Sequence, residues 1–158
     1  MKLPTPKIST IAITISVAAV VAVTCAQHLA LPGKMETVIR RITDGFGLFA
    51  APILIVLAYR GWARNVRPEL PAWRNGLGLS SMVVVSLVWL LHTGTSTFIL
   101  GSIWRGPTLF FGLEWIALLL SSNLAGLLLA IALRGGSRIQ AIAAALLVWA
   151  YLESSIYF

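Results

Sequence analysis

Five almost continuously apolar runs make up most of this chain, with short polar segments between them. They extend from Ile8 to Leu31, about Gly45 to Trp62, Leu77 to Gly101, about Thr108 to Leu133, and Ile139 to Phe158. A helix needs about 20 apolar residues, at about 1.5 Å each, to cross about 30 Å of hydrocarbon. Each run approaches or exceeds that length. Pro32-Gly33 stops the first run, Pro52 predicts a kink within the second, and Gly135-Gly136 predicts a tight turn into the fifth. The fifth is the least clear-cut, because Glu153 follows its apolar stretch. It either spans or packs obliquely, and spanning is favoured. The pattern predicts an all-α fold: a polytopic membrane helical bundle of five transmembrane helices, or four if the last does not cross. Residues 1–158 would form a single transmembrane domain.

Composition agrees. The chain is 58% hydrophobic and 11% charged, too little charge to cover a soluble domain of this size. Lys and Arg outnumber Asp and Glu by 12 to 5. In a soluble protein that excess would point to nucleic acid, but here the cations occupy short loops where topology alone calls for them. Nucleic-acid binding is not expected. With the N-terminus cytoplasmic, the inner segments hold eight cations: Lys2, Lys7, Arg60, Arg64, Arg67, Arg74, Arg134 and Arg138. The outer ones hold four: Lys34, Arg40, Arg41 and Arg105. The positive-inside rule therefore favours N-terminus in, and the expected location is a bacterial-type cytoplasmic membrane, crossed several times. Lys2 and Lys7 ahead of an apolar run ending near Thr24-Cys25-Ala26 resemble a secretory signal. The run is longer than a signal core, so a retained helix is expected. Cys25 is the sole cysteine and forms no internal disulfide.

Small residues mark where helices approach closely in lipid. The expected faces are Ala18, Ala22 and Ala26 in the first run, Ser122, Gly126 and Ala130 in the fourth, and Ala141 and Ala145 in the fifth. Tyr59, Trp62 and Trp73 at one side, and Trp104, Trp115, Tyr151 and Tyr157 at the other, are placed as interfacial belts. Between the first two runs, Glu36 and Arg40 stand four apart in the order that supports a short interfacial helix.

The candidate chemistry is sparse. Ionisable groups within spans are costly and often functional. His28, His92, Glu114 and Glu153 all fall in the outer half, and Thr95 and Ser96 share the helical face of His92. Ser121, Ser122 and Asn123 form a second polar patch. Serine and threonine can bond to carbonyls one turn back, so hydroxyls alone do not mark a pathway. His28 and His92 would serve as axial ligands of a b-type haem, or His92 and Glu114 as part of a metal site open to the outer face. His92 and Glu114 would alternatively form the proton- or ion-coupled site of a small oligomeric transporter. The chain contains no HExxH, GxSxG, CxxC or phosphate-binding glycine loop. The reading is a non-catalytic integral membrane protein, an accessory or assembly subunit, whose partners are membrane lipids and other membrane subunits or further copies of itself. Cofactor-binding and transport stand as the alternatives.

Overall fold

The computed structural model describes residues 5–28, 33–94 and 108–154. Among the described residues it is all-helical, with five α-helices: α1 (Thr5–His28), α2 (Gly33–Gly61), α3 (Ala72–Gly94), α4 (Thr108–Ala132) and α5 (Gly135–Ser154). Among the described residues, three helical stretches are long and apolar enough to cross a membrane: Gly33–Glu69, Ala72–Gly94 and Gly135–Ser154. Thr10–Ala26 and Ile116–Ala132 are shorter apolar stretches within α1 and α4.

The segment expected as a short interfacial helix leading into the second run is the beginning of α2. Glu36 lies in the first turn, and its carboxylate pairs with Arg40 one turn later at 2.8 Å. An anion near a helix N-terminus and a Glu-to-Arg pair at four-residue spacing both favour helix here, so no break separates this segment from the apolar run. At its other end α2 widens into a π turn, Trp62–Val66, and tightens into a 3₁₀ turn, Arg67–Glu69. Asn75 holds this corner together. Its amide donates to the carbonyls of Arg67 and Leu70, both at 2.9 Å, and its oxygen accepts from the Trp62 indole at 3.1 Å. Trp62 is consequently buried, a correction to its expected place in an interfacial belt, whereas Tyr59 and Trp73 are exposed. Gly135, with φ of +61°, reverses the chain between α4 and α5, a conformation that glycine adopts without steric cost.

The fifth helix, the least certain from sequence, is the centre of the bundle. α5 packs against α1, α2 and α4 and touches α3. Its alanines explain this: Ala141, Ala143, Ala144, Ala145 and Ala150 are all buried, and their small volume lets neighbouring helices approach on several sides. Each surrounding helix presents one seam. On α1 it is Ala12, Ser16, Ala19, Val23 and Ala26, so the expected face through Ala18 and Ala22 is corrected by about a third of a turn. On α2 the seam is Arg40, Thr43, Gly47, Ala51, Leu54 and Ala58. On α4, Ser122, Ala125, Leu129 and Ala132 are buried, and Gly126 approaches Ala145. Hydroxyls along the seams turn back on their own helices. Ser16 donates to Ala12 O, Ser81 to Leu77 O and Ser86 to Met82 O, each at 2.8 Å.

Candidate functional site

Arg40, Thr43, His92 and Ser154, four of the buried polar side chains, gather where α2 begins and α3 and α5 end. Arg40 is only 6% exposed. Its Nε and Nη2 donate to one oxygen of Glu36 at 2.9 and 2.8 Å, and its Nη1 reaches across to the Ser154 carbonyl at 2.9 Å. That carbonyl belongs to the last described turn of α5, where unpaired carbonyls concentrate negative potential that a guanidinium answers. The Ser154 hydroxyl lies between the Asp44 carboxylate and the Tyr151 carbonyl, the latter at 2.9 Å. Its single proton serves one acceptor at a time, and the carboxylate is the stronger. Arg40 also acts electrostatically on Asp44. Glu36, Arg40 and Asp44 thus form one stripe on α2, clasped to the end of α5.

One turn deeper the cluster becomes aromatic. Tyr151 lies against the backbone of α2 at Gly47, where a Cβ would enter the space of the tyrosine's own Cβ and Cγ. Trp89 from α3 donates its indole N–H to the Gly47 carbonyl at 2.9 Å. His92, 3% exposed, meets the edge of the Tyr151 ring, with centroids 4.4 Å apart and planes at 77°. Thr93, near the end of α3, and Asp44 both lie close enough to Tyr151 to act on its hydroxyl. Tyr151 is therefore part of the interior, a correction to its expected place in an interfacial belt.

The candidate residues separate in space. His92 is buried in the cluster. His28, at the end of α1, is exposed. Glu153 is partly buried on the last turn of α5. The side chain of Glu114 lies outside the described part of α4, and Thr95 and Ser96 lie outside the described residues. Among the described residues, no group of three or more His, Cys, Asp or Glu side chains comes together as a metal site would require. The patch at Ser121–Asn123 also divides. Ser122 faces the interior, while Asn123 is exposed and donates to the Leu119 carbonyl at 2.9 Å.

Arg40, Asp44, Tyr151 and Ser154 were not singled out from sequence as a site. The signal for the first two was present in the register Glu36, Arg40, Asp44, each four positions from the next, which puts all three on one helical face. The contribution of Ser154 carries no local signal, since its partner Arg40 lies 114 positions away.

Space in the bundle is unevenly distributed. The centre is tightly filled, with a void of only about 10 Å³ among Ala58, Met82, Leu129 and Ala144. A lateral cleft of about 340 Å³ opens between α2 and α3, lined by Ile55, Tyr59, Leu79, Val83 and Leu87 among others. No protein-family model matches the sequence, and no curated protein or solved structure shows significant similarity to it.

Proposed function

We propose that the chain is a multi-pass membrane protein of non-catalytic role, an accessory or assembly subunit that acts by packing its helices laterally against other membrane helices. All five helices would cross the bilayer, with the N-terminus cytoplasmic. α2 is about 43 Å long at 1.5 Å per residue, so its first turns, with Glu36 and Arg40, would extend beyond the hydrocarbon.

The observation that carries this reading is the outward face of the bundle. Ile11 and Val21 on α1, Phe49 and Ile53 on α2, Leu87 and Leu90 on α3, and Leu120 and Leu127 on α4 are each at least half exposed. Contiguous apolar surface on every outer helix is unstable in water and ordinary in lipid. Two further features support a packing role. The interior is filled by small side chains at close helix contacts, and the polar cluster spends its hydrogen bonds on its own members. Co-purification tests the role. In mild detergent, other membrane polypeptides are expected at fixed stoichiometry, and a Soret band or one equivalent of metal would overturn the reading in favour of a cofactor protein. Topology is tested in a Cys25→Ser background. Lys34→Cys should react with an impermeant maleimide on intact cells, and Ala63→Cys only after permeabilisation. Labelling of both from one side would overturn the arrangement.

One observation favours a second reading, a small proton- or ion-coupled transporter: His92 is buried against Tyr151, with Asp44 within electrostatic range of the same tyrosine. It predicts flux in liposomes that is lost in His92→Ala while the protein stays monodisperse.

A further inference from the structure

Ser121, Ser122 and Asn123 are consecutive, so the helix distributes them over different directions about 100° apart. Ser122 turns into the bundle and Asn123 turns away from it. The surroundings of Asn123 are unusual for an amide. Leu120, three residues before it, is 64% exposed, and Leu127, four residues after it, is 65% exposed. Ile116 and Ile131 extend the same outward stripe. The steps 116, 120, 123, 127 alternate four and three residues, the spacing of a helix–helix seam, and Asn123 occupies one of its inward positions. The stripe from 116 to 131 is about 22 Å long at 1.5 Å per residue, most of a bilayer core.

Asn123 satisfies only part of its hydrogen-bonding capacity within its own helix. One N–H goes to the Leu119 carbonyl at 2.9 Å. The side chain is on an exposed face of the helix, where hydrocarbon would offer its other N–H and its amide oxygen no partner. Asn123 lies nine residues from the end of α4, about 13 Å at the helical rise, too deep for an amide to reach interfacial water with so short a side chain.

We infer that this face of α4 is the interface between two copies of the chain, related by a twofold axis normal to the membrane and held in register by an Asn123–Asn123 amide pair. The inference rests on the membrane reading above and goes beyond it by naming a partner. Geometry selects a second copy. Two molecules inserted with the same topology place every residue at the same depth, so on a twofold axis along the bilayer normal Asn123 meets its own counterpart. An amide is self-complementary: its N–H₂ donates to the partner's oxygen while its oxygen accepts in return. The same symmetry brings Leu120 and Leu127 against their equivalents one turn to either side, excluding lipid from the pair. A single polar residue in an otherwise apolar seam is also the usual device for fixing register and stoichiometry.

Crosslinking in native membranes tests this, in the Cys25→Ser background with a mild oxidant. Leu120→Cys and Leu127→Cys should each give a disulfide-linked dimer, whereas Phe49→Cys, equally exposed but on α2, should not. Adding Asn123→Ala to the Leu127→Cys chain should weaken self-association about five- to thirty-fold in dissociation constant, measured by dilution into lipid, and Asn123→Gln should restore most of it. Because Asn123 is exposed, its substitution should leave the thermal unfolding of the protomer unchanged, which separates a lost interface from a lost fold. Absence of crosslinks at both leucines, equal crosslinking at Phe49→Cys, or a dimer indifferent to Asn123→Ala would each overturn the inference. A chain recovered in the soluble fraction would instead overturn the membrane reading.

Discussion

Gly47 shows how far a single position can be constrained in this bundle. Two contributions meet at it: the Tyr151 side chain over its Cα and the Trp89 indole on its carbonyl. Gly47→Ala would push Tyr151 off α2 and disturb its contact with His92. The expected loss is about 1–3 kcal/mol, the usual range for overpacking a tight interior. Gly45→Ala, two residues away with nothing near its missing Cβ, should be neutral or stabilising by up to about 1 kcal/mol. Thermal unfolding of both variants in the same detergent gives the comparison, and equal behaviour would contradict the packing described. Arg40 yields a second contrast. Its three nitrogens engage two partners in different directions, which a lysine's point charge does not reproduce. Arg40→Lys should retain the charge yet lose most of the stabilisation that Arg40→Met loses, again read from unfolding in detergent.

At the scale of elements, the connections differ in how they are held. The α2–α3 corner depends on Asn75, which donates twice and accepts once. Asn75→Asp preserves shape and acceptor but removes both donors, so the Arg67 and Leu70 carbonyls lose their partners. The expected consequence is faster tryptic cleavage at Arg64 and Arg67, with the rest of the bundle intact, and gel analysis of a limited digest detects it. A digest indistinguishable from wild type would show that the π and 3₁₀ turns hold without the amide. The α4–α5 turn relies instead on Gly135 and on Arg74, which reaches from α3 to the Ile131 carbonyl near the C-terminus of α4, a favourable place for a cation. Much of this was legible. The order Glu36–Arg40 announced helix, and Gly135-Gly136 announced the reversal. The continuity of α2 from Gly33 was not legible, because polar residues between two apolar runs look the same whether the chain loops or continues as helix into an interface.

For the whole molecule, the central fact is that α5 is enclosed by the other helices. A chain ending at Arg134 would leave the seams of α1, α2 and α4 facing one another across a gap, and Arg40 and Asp44 without Ser154. Its steady-state level in membranes should fall at least several-fold relative to the full chain, by immunoblot of a tagged pair. Normal accumulation would mean that α1–α4 form a bundle on their own. The same arrangement bears on the proposed role, in which the outer helices would offer their faces to lipid or partners while α5 holds them together.

The apolar runs by themselves determined that this chain is helical, roughly where each helix lies, and that its outer surface suits lipid. Backbone groups in an apolar medium must bond internally, and a long apolar run can do so locally only as a helix. Only the tertiary structure decided which face of each helix turns inward. In a water-soluble helix the apolar stripe identifies the buried side, but along the apolar runs nearly every side is apolar, and in the membrane setting proposed above hydrophobicity would not distinguish protein from lipid. Side-chain volume and polar pairing make the distinction instead. That is why α5, rich in alanine, occupies the middle, and why Arg40, Asp44 and Ser154 meet across a separation of more than a hundred residues.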